Sequence, residues 1–145
     1  MKDKIVNHPT KLRVKNSSIH GYGVFVTEDI MAGQVIEEAV VPTDTIHAVY
    51  EYYGERTYNT SADIMARYRF SGPRSKHGNS EFYVCPTGFA MLYNHSDEPN
   101  VVWEHDCENR LIVFRAIRTI EKGEECFINY GYSPSPENEN NNLTV

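Results

Sequence analysis

The sequence predicts a single, mainly β domain with short helices, and three observations carry that expectation. Short runs rich in β-branched and aromatic residues recur along the chain: KLRV, YGVFVTE, QVIEEAVV, NVVWEH and RLIVFRAI. Such residues suit the half-buried face of a pleated sheet. Between them lie NSSIHG, MAG, SDEP and EKGEE, whose Gly, Pro, Asn, Asp and Ser favour turns. A length of 145 residues, 40% hydrophobic and 23% charged, is that of one folded domain with one core.

KLRV, YGVFVTE and QVIEEAVV read as the first three strands, joined by NSSIHG and MAG. In PTDTIHAVYEYYGERTY the period changes. Ile46, Val49, Tyr50 and Tyr53 recur at i, i+3, i+4 and i+7 behind Thr43 and Asp44, which are suited to capping a helix. A second short helix is expected around SADIMARY; Gly72 and Pro73 end it, and SGPRSKHGNS follows as an exposed loop. NVVWEH and RLIVFRAI are further strands. The tail after Gly131, YSPSPENENNNLTV, is polar and biased to Asn, Pro and Ser, so residues 132–145 are expected to be disordered unless a ligand orders them. DIMAGQVIEE and TIEKGEECFI echo one another, each with an isoleucine three residues before a glycine and a strand after it.

A formal net charge of −6 disfavours direct binding to nucleic acid, where Lys and Arg on phosphates supply most of the affinity. It suits a basic partner, or simply solubility. No apolar run approaches the roughly 20 residues of a membrane span. The start, MKDKIVNHPTKLRV, lacks the apolar stretch of a signal peptide, so an intracellular location is expected. Cys85, Cys107 and Cys126 form no Cys-x-x-Cys pair, which indicates neither a disulfide framework nor a zinc cluster and fits a reducing compartment. His8, His20, His47, His77, His95 and His105 show no metal-ligand spacing. Within YNHSDEP, His95 also lacks the companions of a nucleophile's base, and a role in shaping a turn remains.

Four stretches in order carry a resemblance: GYGVFVTEDIMAGQVIEE, RYRF, GFAMLYNHSDEPNVVW and AIRTIEKGEECFINYG. Together they resemble the SET-domain protein lysine methyltransferases over roughly residues 12–131, within a single domain at 1–131. The resemblance implies small twisted sheets around a knot-like crossing of the C-terminal segment. S-adenosyl-L-methionine (AdoMet) would occupy a pocket on one face and a peptide a groove on the other, joined by a narrow channel. Gly21 and Gly23 would let the backbone approach the methionine end of the cofactor, with Tyr22 beside it. Asn94 would bind the cofactor's amino acid group through its side chain, the backbone of His95 would read the adenine edge, and Asn100 would stabilise the turn. Tyr68 and Phe70, with Tyr83 and Tyr132, would line the lysine channel, where aromatic walls suit a lysine stem and hold a cation.

Tyr130 is the implied catalytic residue. Methyl transfer needs a neutral amine, and a lysine of pKa about 10.4 is neutral only about one part in 2,500 at pH 7, roughly 4.6 kcal/mol against reaction. An apolar channel and a neighbouring sulfonium would favour loss of the proton, and a hydroxyl at the channel end would orient the amine.

Asp97 stands where many members carry a zinc-binding Cys, and the tail has no cysteine, so no metal site is expected. Tyr132 and the tail, a partner or a second copy of the chain (a homodimer) would have to cover the site. Met91 replaces a common Arg, and Asn129 a common Asp. The implied substrate is a basic protein or peptide such as a histone tail, with Glu37, Glu38, Glu98 and Glu104 as candidates to attract it. A SET fold that binds peptide or AdoMet without turnover is the competing reading.

Overall fold

The computed structural model describes residues 3–42, 70–71 and 83–130. The two helical readings and the polar tail lie outside them. Nine strands are described: β1 (Leu12–Asn16), β2 (Tyr22–Val26), β3 (Val35–Val40), β4 (Phe70–Ser71), β5 (Tyr83–Val84), β6 (Asn94–His95), β7 (Val101–Asp106), β8 (Leu111–Ala116) and β9 (Glu125–Ile128). One 3-10 turn spans Ala90–Leu92. The sheets run β1-β2-β9-β6, β3-β8-β7 and β4-β5. All five runs singled out in the sequence are strands, and the fold is mainly β as expected.

β8 is the centre of the three-stranded sheet, antiparallel to β3 and β7. All its residues but Arg115 are buried, as expected of an apolar strand covered on both faces. Ile112, Phe114 and Ala116 join Val24, Val26, Cys126 and Ile128 in one core that welds this sheet to the four-stranded one. Cys85, Cys107 and Cys126 are thiols outside any disulfide. Burial pushes the Cys126 thiol up to about 12, so it packs as an inert apolar group.

The echo between the two glycine turns is structural. Ile30 and Ile120, both fully buried, form an antiparallel bridge: each N–H donates to the other's carbonyl, at 2.8 and 2.9 Å. Three residues on, the Gly33 N–H donates to Ala116 O at the end of β8, and the Gly123 N–H to Val26 O at the end of β2. Both glycines sit at positive φ, +88° and +90°, where a side chain would be strained. Each turn thus closes on the strand preceding the other turn. This reciprocal locking lays β9 along β2.

Candidate active site

β9 is the element around which the site is built. It pairs antiparallel with β2, Val24 opposite Cys126, and parallel with β6, Asn94 opposite Phe127 and His95 opposite Ile128. The Gly-x-Gly, Asn-His-Ser and Gly-Glu-Glu stretches therefore meet on three adjacent strands. Asn100, 1% exposed, secures the arrangement: its Nδ2 donates to Glu125 O at 2.8 Å and its Oδ1 accepts from the Phe127 N–H at 2.7 Å. The family resemblance implies for it a role in stabilising the turn after Pro99. Asn100 also completes the ladder of β9 as a strand neighbour would.

Asn94 is buried, and its amide nitrogen faces three acceptors: Glu125 Oε1 at 2.7 Å, His20 O at 3.1 Å and Tyr22 O at 3.3 Å. Three acceptors fix which end of the amide is nitrogen. Among the described residues no hydrogen-bond donor reaches its Oδ1, which is left as a free acceptor. Glu125, buried and holding Ser17 through its other oxygen at 2.8 Å, is the residue that sequence reasoning missed here. In GEE it looks like a solvated turn charge.

Gly23 packs against this pair. A Cβ there would overlap the Glu125 carboxylate and lie 3.1 Å from Asn94 Nδ2. Close approach of side chains to backbone is thus a requirement of the protein itself. Gly23→Ala should cost about 1–3 kcal/mol of stability, the range of overpacking a filled site. Urea unfolding checks this, and an unchanged midpoint would mean that the carboxylate yields freely. Gly21 differs: its φ of +47° makes glycine fit, and open space lies where a Cβ would be. The Tyr22 side chain is 62% exposed.

Tyr130 is half-buried. Its hydroxyl donates to Tyr93 O at 2.8 Å, and its backbone N–H donates to His95 Nδ1 at 3.0 Å. An N–H can only donate, so Nδ1 carries no proton; Nε2 does, and it lies 3.0 Å from Asp97 Oδ1. The rings of His95 and Tyr130 lie 5.1 Å apart. Asp97 thus orients His95, and the His95 side chain acts as a bracket for Tyr130 beyond any role of its backbone.

Tyr93 precedes Asn94 and is 1% exposed, its ring stacked on Phe114 at 4.5 Å. Its hydroxyl donates to Glu37 Oε1 at 2.8 Å, and Glu37 Oε2 accepts the Phe89 N–H at 2.7 Å. This corrects the expected acidic surface: Glu37 is 3% exposed and unavailable to a passing peptide. A register shift between Val35 and Glu37 is the reason, because a bulge breaks the alternation and buries Ile36 and Glu37 together. Glu38 pairs with Lys4 at 2.7 Å and Glu104 with Arg115 at 3.4 Å, while Glu98 is exposed.

Burial is the largest influence on Glu37 and raises its carboxyl above the ordinary 4.5, against the pull of its two hydrogen bonds. Burial, and then the Glu37 charge, holds the Tyr93 phenol well above 10, so it remains a donor. The native protein keeps the Glu37 proton more tightly than the unfolded chain does. Its contribution is therefore greatest below the unfolded pKa and is lost as pH rises through the native one. Relative to Glu37→Gln, the wild type should be more stable at about pH 4 than at about pH 7. Urea midpoints of both proteins test this, and a constant difference would contradict it.

Phe70 is 5% exposed, edge-on to Trp103 at 4.9 Å and to Phe114 at 6.0 Å. It is a core residue by position. Tyr83 is described through its backbone, opposite Ser71. Tyr68 and Tyr132 lie outside the described residues. Met91 packs half-buried against the core. Among the described residues no three His, Cys, Asp or Glu side chains gather to hold a metal.

A SET domain family profile matches residues 21–131, which span β2 to β9 and Tyr130; Lys4, the framing strand β1, Ser17 and His20 precede the match, and Tyr132 follows it. The histone-lysine N-methyltransferase, H3 lysine-37 specific, of Schizosaccharomyces pombe is 28% identical over 131 residues, covering 90% of this chain and 79% of that protein. A Plasmodium falciparum structure, described as a candidate histone methyltransferase, superposes with a TM-score of 0.59 at 28% identity, over 86% of this chain and 96% of that one. The Neurospora SET domain protein DIM-5, a histone lysine methyltransferase, shares the fold at a TM-score of 0.59 and 22% identity; this chain, 86% covered, spans 53% of it. With a profile match over most of its length, and three motif strands paired as the fold requires, the chain belongs to the SET-domain family.

Proposed function

We propose that the protein transfers a methyl group from AdoMet to the ε-amine of a lysine in a basic protein, with histone tails as the first substrates to try. The observation that carries this reading is that Asn94 and His95 on β6 lie beside β9, whose C-terminal end brings Tyr130 onto His95 Nδ1 and fixes its hydroxyl on Tyr93 O. The Asn94 site fits the cofactor's amino acid end. Its amide nitrogen is committed to Glu125, His20 and Tyr22, so Oδ1 is the acceptor offered to an ammonium. Gly21, Tyr22, Gly23 and the His95 backbone would complete the cofactor site.

When bound, AdoMet supplies an electrophilic methyl on a positively charged sulfur. The protein's share is placement. Because the Tyr130 hydroxyl spends its proton on Tyr93 O, its lone pairs are what it presents to an incoming amine. An oriented acceptor holds the amine for in-line attack and stabilises charge as it shifts in the transition state. His95 and Asp97 keep the Tyr130 backbone from drifting. The names of the Schizosaccharomyces and Plasmodium relatives support a histone-class substrate.

The test is incubation with methyl-labelled AdoMet and core histones. Transfer of label to protein is expected. Tight AdoMet binding by calorimetry with no transfer to any basic protein would replace this reading with that of a binding module.

A further inference from the structure

Glu37 is a carboxylate with no obvious reason to be buried. Among the described residues no Lys, Arg or His forms an ion pair with it, and such groups are costly to desolvate. Its surroundings are nevertheless shaped to it. Gly88, at φ +75°, leaves the space its Oε2 occupies, since a Cβ there would overlap that oxygen. Phe89 donates its N–H and Tyr93 its hydroxyl, one to each carboxylate oxygen. Two donors from one short segment, residues 89 and 93, hang on a single strand residue of β3. Between those donors lies the turn Ala90–Leu92, and directly after them comes Asn94.

Tyr93 is therefore held at both ends. Its phenol is fixed by Glu37 and by stacking on Phe114, and its carbonyl receives the Tyr130 hydroxyl. We propose that Glu37 is a positioning residue for methyl transfer: by anchoring Tyr93 it fixes the carbonyl that aims the Tyr130 hydroxyl. The inference rests on the methyltransferase reading of the site. A strand of the second sheet thus sets the geometry at the tip of β9, although Glu37 touches neither substrate nor cofactor.

Tyr93→Phe is the discriminating variant, because it keeps the ring on Phe114 and deletes only the link to Glu37. It should lower kcat about tenfold, the lower end for losing an outer partner that orients a site residue, while KM for AdoMet and peptide stays within about threefold. Glu37→Gln can still accept from Phe89 and can donate its amide N–H to the Tyr93 oxygen, so it should hold kcat within about threefold of wild type. Glu37→Ala should fall with Tyr93→Phe. A second readout needs no turnover: with tyrosine labelled at Cζ with carbon-13, the Tyr130 resonance, assigned through Tyr130→Phe, should shift in Tyr93→Phe and Glu37→Ala and stay near wild type in Glu37→Gln. A Tyr130 resonance that does not move in Tyr93→Phe, or full kcat in that variant, would overturn the inference. If the wild type methylates nothing, the methyltransferase reading fails by itself and the resonance alone decides whether Glu37 positions Tyr130.

Discussion

Tyr130→Phe is expected to lower kcat and kcat/KM together by about 10²-fold or more, some 2.7 kcal/mol of transition-state stabilisation, on the scale of removing one preorganised hydrogen-bonding group. The ring remains, and so do the backbone N–H bond to His95 Nδ1 and the ring contact with that histidine. Stability and AdoMet affinity should change little. Steady-state kinetics on an unmethylated lysine peptide that the wild type methylates, with AdoMet titrated by calorimetry, checks both halves. A variant that keeps its full rate would make Tyr130 a packing residue. One that loses AdoMet binding in proportion to rate would place its hydroxyl in ground-state binding.

Asn100→Ala is expected to be the most destabilising single change near the site. The side chain is buried and makes two hydrogen bonds, at 2.8 and 2.7 Å, to the backbone of β9. Its removal leaves a carbonyl and an N–H without partners, at about 1–3 kcal/mol each. A total of about 3 kcal/mol lowers Tm by roughly 10 °C in a domain of this size. Because β9 carries Glu125 at one end and leads to Tyr130 at the other, activity should fall well below the unfolding temperature. Thermal unfolding followed by circular dichroism is the check, and a Tm within about 2 °C of wild type would show that β6 and β2 hold β9 without Asn100.

How much of this was legible in the sequence depended on scale. The runs that became β1, β2, β3, β7 and β8 announced themselves, because β-branched residues between turn formers have few other uses. β6 did not: a two-residue parallel pairing has no period to read, and its existence depends on where β9 arrives. The motif order pointed to Asn94, His95 and Tyr130 without showing that Tyr130 is bonded to the His95 ring and to the Tyr93 carbonyl. The supporting side chains were hidden for separate reasons. Glu125 and Glu37 each sit in a Glu-Glu pair that reads as solvated charge, and for Glu37 the bulge at Val35 disguised which of the two points inward. Tyr93 was one tyrosine of ten, and only the structure shows it stacked, hydrogen-bonded and supplying the carbonyl under Tyr130. The Ile30–Ile120 bridge was visible as an echo in the sequence, but its reciprocal bonds belong to the fold.

Whether these groups assemble a lysine methyl-transfer site is tested by tandem mass spectrometry of a basic protein after incubation with AdoMet and enzyme. A methyl group on a lysine ε-nitrogen is expected, formed by the wild type and greatly diminished with Tyr130→Phe. Methylation on another side chain, or an equal yield from both proteins, would contradict it.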